Sequence, residues 1–213
     1  MTRQQALTRA ATVALATVFM ACRGDGTLVS PVTNASAPPG VRASIATTTT
    51  KKLDTDTLVV TFRVNPRKSA SQALAGGHKI YLSANAICDP QTSGYGPDTW
   101  ETPCALLQKQ ITITATSWVD TAGHPFVEFS PALRFNPDDD APVWLLLIDR
   151  FGARDPGTRI VYCTDDGSCI DESLTDPELA TQRDEKKGYL YRRIKHFSGY
   201  NISSGYGGMS AME

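Results

Sequence analysis

From Gln110 to Ser130 the chain reads QITITATSWVDTAGHPFVEFS, and this stretch limits the fold more than any other. Ile111, Ile113 and Ala115 alternate with Thr112, Thr114 and Thr116. A period of two puts alternate side chains on opposite faces, one toward a core and one toward solvent, as in a half-buried strand. Asp120-Thr-Ala-Gly-His124 is a turn and Pro125–Ser130 its partner strand, so the pair reads as a hairpin.

The same grammar recurs along the chain. Thr57–Val64 alternates, with Leu58, Val60, Phe62 and Val64 on one face, and Asn65-Pro66 stops it. His78–Ala84 follows a Gly76-Gly77 loop as a second strand. Leu133 and Phe135 supply a core before Asn136-Pro137 breaks the run. Val143–Asp149 is almost wholly apolar, which predicts a central strand covered on both faces. Arg159–Cys163 is another strand, and Asp165-Asp166-Gly167 turns the chain back to Cys169. Residues 171–187 are acidic, then basic, and read as a surface excursion. Gly188–Tyr200 is the last strand, although neither of its faces is cleanly apolar, which predicts a bulge. No segment carries a convincing helical period. The expected fold is all-β, an antiparallel β-sandwich of about seven to nine strands over residues 53–202.

The first residues are an address. Arg3 and Arg9 precede an apolar run, Ala10–Ala21, that is shorter than the roughly 20 residues needed to span a bilayer. The run ends Phe19-Met20-Ala21-Cys22 and turns polar at Arg23. It resembles a bacterial lipobox, with Phe19 where Leu is usual. That resemblance implies a lipoprotein signal peptide over residues 1–21 and acylation at Cys22. An ordinary signal peptide cut near Ala21 is the alternative. Residues 22–52, rich in Ser, Thr, Ala, Pro and Gly, cannot bury a core and read as a flexible tether. Residues 203–213 read as a flexible tail.

With Cys22 assigned to lipid, Cys88, Cys104, Cys163 and Cys169 remain. An even number in an exported chain predicts disulfides, and four cysteines allow three connectivities. Cys88–Cys104 and Cys163–Cys169 are expected, because each closes a local loop. The first would close the long Pro- and Gly-containing stretch that carries Tyr95 and Trp100. Zinc is the alternative use, but no C-x-x-C occurs and the three histidines are scattered.

Three segments in order are similar to the ZU-five domain, the β-sandwich of netrin receptors, ankyrins and zonula occludens proteins. They are Gly76–Ile87, Val127–Phe135 followed by Pro142–Leu147, and His196-Phe-Ser-Gly-Tyr200. The third matches the family's closing His-Phe-Ser-x-Tyr. In the first, Ser83 and Asn85 stand where that family has Pro and Gly. The resemblance covers residues 76–202 and implies a sandwich used for protein contacts. It also implies that His196, Phe197 and Ser198 could form a self-cleavage site, in which Ser198 attacks the Phe197 carbonyl while His196 takes its proton. That reaction needs a strained peptide at a strand end, where Gly199 would permit a tight turn. The same five residues would otherwise be a packing motif, with Phe197 and Tyr200 filling the bottom of the core.

Other side chains suggest less. Asp138, Asp139 and Asp140 could hold calcium, though a solvated turn explains them as well. Asp165 and Asp166 read as a turn. Arg192, Arg193 and Lys195 suit an edge strand guarded by charge, with an acidic partner or lipid headgroups as the other use. His78 and His124 have no partners at ligand spacing. Tyr95, Trp100 and Trp118 could form a sugar-binding platform, or simply anchor core and loops. Net charge is -1 with no basic stripe, so no nucleic-acid partner is expected. There is no nucleophile elbow, P-loop or dinucleotide fingerprint, so neither an enzyme nor a cofactor is expected. The expected role is a lipid-anchored binding or structural module of the cell envelope. Its partners are the membrane, through the anchor, and an envelope protein or glycan. Self-cleavage between Phe197 and Ser198 is the alternative.

Overall fold

The computed structural model describes residues 46–52 as backbone and residues 57–138, 140–164 and 166–203 in full. The leader, Cys22, most of the expected tether, Asp139, Asp165 and the tail beyond 203 lie outside the described residues.

Among the described residues, twelve strands form two antiparallel sheets. They are β1 (Ala46–Lys52), β2 (Leu58–Val64), β3 (Ala70–Ala73), β4 (Lys79–Leu82), β5 (Ile111–Val119), β6 (Pro125–Ser130), β7 (Val143–Ile148), β8 (Arg159–Cys163), β9 (Cys169–Ile170), β10 (Gln182–Asp184), β11 (Tyr189–Ile194) and β12 (Gly199–Ser203). One sheet has seven strands in the order β1-β2-β5-β6-β12-β8-β9, and the other has five in the order β10-β11-β7-β4-β3. The remaining elements are short 3-10 turns.

Alternation placed the strands well. In β2, Val60, Phe62 and Val64 are buried, and in β5 Ile113, Ala115 and Ser117 are buried between more exposed threonines. β5 and β6 pair as the expected hairpin, with Ala115 opposite Phe129 and Ser117 opposite Val127. The core lies between the sheets. Val60, Phe62, Ile113, Val127, Phe129, Ile160 and Tyr200 meet Ile80, Leu82, Val143, Leu145, Leu147, Leu190 and Ile194 there. Each such aliphatic side chain withdrawn from water is worth about 1.5–3 kcal/mol, so this two-sided set is the main force holding the sheets together.

Five expectations need correction. The strands outnumber the expected seven to nine, because β3, β9 and β10 have only two to four residues, too few to display a period. The stretch Ala46–Lys52, expected as tether, pairs with β2 as strand β1. β7 lies between β11 and β4, as a central strand should, but only Val143, Leu145 and Leu147 are fully buried. Trp144, Leu146 and Ile148 face the outside of the sheet half-buried. Residues 171–187 are not simply a surface excursion, because Asp171, Glu172 and Leu179 are buried. The last run contains no bulge. β11 keeps an unbroken register with β7 from Tyr189 to Ile194, then residues 195–198 carry the chain out of the five-stranded sheet. β12 continues in the seven-stranded sheet, between β6 and β8. The mixed parity of the sequence therefore marks a change of sheet.

Candidate functional site

The change of sheet brings His196 and Phe197 into the interior, with Ser198 half-buried beside them. Arg134 and His196 form an isolated antiparallel bridge, and the Phe197 N–H donates to the Leu133 carbonyl at 2.7 Å. Phe197 is fully buried, stacked on Phe129 at 4.4 Å and set edge-on to Phe135 at 4.8 Å. Gly199 does not make the tight turn expected of it. It opens β12, and a Cβ there would come within 2.8 Å of Phe126 Cζ and 3.2 Å of the Cys163 carbonyl. Glycine is needed for space, as the sheet closes against its neighbours.

The imidazole of His196 is 0% exposed and sits in the middle of a polar relay. Its Nε2 lies 3.1 Å from Glu172 Oε1, and its Nδ1 lies 3.1 Å from Ser198 Oγ. The other oxygen of Glu172 accepts from Arg192 Nη2 at 2.8 Å. Arg192 is itself fully buried, donating through Nη1 to the Ile160 carbonyl at 2.8 Å and through Nε to the Arg193 carbonyl at 3.1 Å. The Tyr200 hydroxyl donates to the His196 carbonyl at 2.8 Å.

The electrostatics are consistent along the relay. Burial disfavours the charged form of Glu172, but the hydrogen bond from His196 and the charge of Arg192 outweigh it and hold the carboxyl below its ordinary value. Burial lowers the pKa of His196 despite the opposing pull of Glu172, so the ring is neutral at neutral pH. An ionised carboxylate can only accept, which places the single ring proton on Nε2. Nδ1 is then a free acceptor facing the Ser198 hydroxyl. Burial pushes the Tyr200 phenol well up, so it remains an O–H donor.

The stretch between Cys88 and Cys104 forms the roof. The Trp100 indole stacks on the His196 ring with centroids 3.9 Å apart. The Tyr95 ring meets the same imidazole edge-on at 6.1 Å, and its hydroxyl donates to the Phe197 carbonyl at 2.6 Å. Tyr162 closes a further side at 4.6 Å. Arg134 Nη1 holds this roof from below through the Thr102 carbonyl at 2.9 Å and also through the Thr99 carbonyl.

Chemically, the arrangement places a carboxylate, an imidazole and a hydroxyl in series, with a phenol O–H on the carbonyl next to that hydroxyl. A base, an oriented nucleophile and a carbonyl donor are thus assembled around one peptide bond of the chain itself. No external molecule reaches the imidazole, which Trp100, Tyr162 and the sheets cover.

Both expected disulfides are present, Cys88–Cys104 and Cys163–Cys169, so zinc is not the use of these cysteines. Such bonds persist in oxidising compartments, which places the folded domain outside the reducing cytosol. The second staples β8 to the edge strand β9, with Cys163 opposite Cys169. Among the described residues no helix is long and apolar enough to cross a membrane, and no group of His, Cys, Asp and Glu has the makings of a metal site.

The other candidates separate. β11 is not an edge strand, because β10 covers it on one side and β7 on the other. Of its cations Arg192 is internal, Arg193 pairs with Glu178 at 3.0 Å, and Lys195 pairs with Glu101 and Asp176. Asp138 Oδ1 accepts from the Asp140 N–H at 3.1 Å, as in a turn. Asp166 accepts from the Ser168 N–H at 2.9 Å in the turn around Gly167. His78 is buried, and its Nδ1 accepts from the Ile148 N–H at 3.0 Å. His124 does have a carboxylate partner, Asp149 at 2.8 Å, which its place in the sequence did not show. Trp118 stacks on Phe126 at 4.1 Å, while Tyr95 and Trp100 both go to His196, so Trp118 stands apart from the other two and the three form no common platform.

Sequence reasoning missed Glu172, Arg192, Tyr95, Trp100 and Tyr162 as members of this site. The one available signal was the cationic Arg192 at an inward parity of β11, between Leu190 and Ile194, which demands a buried anion nearby. No protein family, curated protein or solved structure matches this chain.

Proposed function

We propose that this chain is a ZU-five-like β-sandwich, exported and held at the cell envelope by a lipid on Cys22, that works as a binding or structural module. It turns over no outside substrate. The observation that carries this reading is the enclosure of the Glu172–His196–Ser198 relay. The polar groups that would do chemistry are consumed by one another beneath Trp100. In that state they latch the last two strands, one in each sheet, to the rest of the core. The partner would be an envelope protein or glycan met by the loops of the sandwich. Capture of the partner from envelope extract by the oxidised domain tests this, with domain unfolded by reduction and urea as control. A partner retained equally by the unfolded control would count against it.

A second reading keeps this module and adds one act of chemistry on its own chain. The observation favouring it is the Tyr95 hydroxyl on the Phe197 carbonyl, beside a Ser198 hydroxyl already bonded to His196. Ser198 Oγ gives its proton to His196 Nδ1 and bonds to the Phe197 carbonyl carbon, whose oxygen takes up negative charge against Tyr95. The C–N bond breaks, the proton passes to the Ser198 nitrogen, and an ester remains. Water then opens the ester, leaving a carboxylate on Phe197 and restoring the Ser198 hydroxyl.

β12 is bonded to β6 and β8, so the severed strand would stay in place under native conditions. Mass spectrometry after denaturation therefore separates the two readings. A fragment ending at Phe197, absent in Ser198→Ala, supports cleavage. A full-length mass that persists through long incubation at neutral pH leaves the latch alone.

A further inference from the structure

The loop closed by Cys88–Cys104 makes almost all of its interior contacts with one place. Tyr95 reaches the Phe197 carbonyl, and Trp100 covers the His196 ring. Thr99 and Thr102 receive Arg134, and Glu101 receives Lys195. Arg134 and Lys195 themselves flank the crossing between sheets, one bridged to His196 and the other next to it in sequence. Apart from one 3-10 turn, Pro97–Thr99, the loop has no regular structure of its own. Two of its buried polar atoms, Ser93 Oγ and Trp100 Nε1, have no hydrogen-bond partner among the described residues, and neither does Nε of Arg134, which supports it. Burying a donor unpaired is unfavourable and offsets part of what the loop's hydrogen bonds contribute, and the covalent tie makes up the difference. Cys88 is itself anchored, its N–H donating to the Arg134 carbonyl at 3.0 Å, and Asp89 donates to the Ala105 carbonyl at 2.7 Å across the base of the loop.

We infer that the Cys88–Cys104 loop is a disulfide-locked lid, and that the His196 site is completed only when this bond forms. In the dithiol state the loop swings away, taking Tyr95 off the Phe197 carbonyl and Trp100 off the imidazole. Closure requires the two thiols to give up two protons and two electrons, which a disulfide carrier of the export compartment accepts by thiol–disulfide exchange. The site is therefore open in the newly made chain and sealed after export. The Cys163–Cys169 bond plays no part, since it staples β9 at the sheet edge.

The test is covalent labelling of histidines with diethyl pyrocarbonate, read by peptide mass spectrometry on the folded, full chain. The three histidines form an internal scale. His124 is partly exposed and should label in every form, while His78, buried just before β4 and away from the loop, should stay protected. In the oxidised protein His196 should be protected like His78. In Cys88→Ser/Cys104→Ser its labelling should rise at least about tenfold with His78 unchanged, as a local opening requires. Cys163→Ser/Cys169→Ser should leave His196 protected. Tyr95→Phe/Trp100→Ala, with the disulfide intact, should open His196 as well.

Continued protection of His196 in Cys88→Ser/Cys104→Ser overturns the lid. So does loss of His78 protection in the same variant, because the bond would then support the whole sandwich. One further readout rests on the self-cleavage reading: if the domain cuts itself, the Cys88→Ser/Cys104→Ser protein should not. Absence of cleavage in every variant removes that reading, while the labelling still decides the lid.

Discussion

Glu172→Ala isolates the central electrostatic contact of the fold. In the intact protein the Glu172 carboxylate is almost wholly buried and divides its oxygens between Arg192 and His196. Truncation leaves the Arg192 guanidinium, 0% exposed in the intact protein, with the backbone carbonyls of Ile160 and Arg193 and the face of Tyr200 but no anion. A buried charge that loses its counter-ion costs about 3–5 kcal/mol. For a domain of this size each kcal/mol moves the midpoint by about 2–4 °C, so Tm should fall by about 6–20 °C. Arg192→Met should also destabilise, because it leaves the Glu172 carboxylate buried beside a neutral His196 with no counter-ion.

The double variant Glu172→Leu/Arg192→Met removes both charges and fills the space with apolar groups. Its remaining fault is an unpartnered His196 N–H, worth about 1–3 kcal/mol. Urea unfolding of the oxidised domain at constant m-value measures these variants together with Glu172→Leu, and the cycle of Glu172→Leu, Arg192→Met and the double variant should show coupling of about 2–3 kcal/mol. Single variants that each lose less than about 1 kcal/mol and simply add would refute the reasoning.

Acid should destabilise the domain through His78, whose pKa burial pushes down to about 4. The unfolded chain takes up this proton near 6.5 and the folded one only near 4, so stability falls across that window as pH drops. Unfolding midpoints from pH 7 to pH 4 should show a His78-dependent loss of a few kcal/mol at most, about 1.4 per pKa unit. Cys22→Ala should move the protein from the membrane to the soluble fraction, and unchanged fractionation would exclude lipid anchoring. Gly199→Ala should cost about 1–3 kcal/mol, because its Cβ meets both the Phe126 ring and the Cys163 carbonyl, and thermal melting gives the value.

What the sequence determined by itself was what a few consecutive residues can encode. Alternation in Ile111–Val119 and Leu58–Val64 sets which face of each strand is buried, because the period of a strand is a property of the backbone. A cysteine pair closing a short loop is equally local, and so both disulfides were legible. The site is a different matter. His196 meets a carboxylate 24 positions away and a phenol whose hydroxyl bonds its neighbour's carbonyl from 102 positions away. Neither Glu172 nor Tyr95 points to His196 from its own segment, since a carboxylate among acidic residues reads as solvent-facing and a tyrosine in a Gly-rich loop reads as a sugar platform or a loop anchor. The tertiary structure alone decided which anion answers Arg192 and that the His-Phe-Ser run crosses between sheets. It did so because burial removes water from charged groups, and each then needs a partner that only the packing of distant strands can bring.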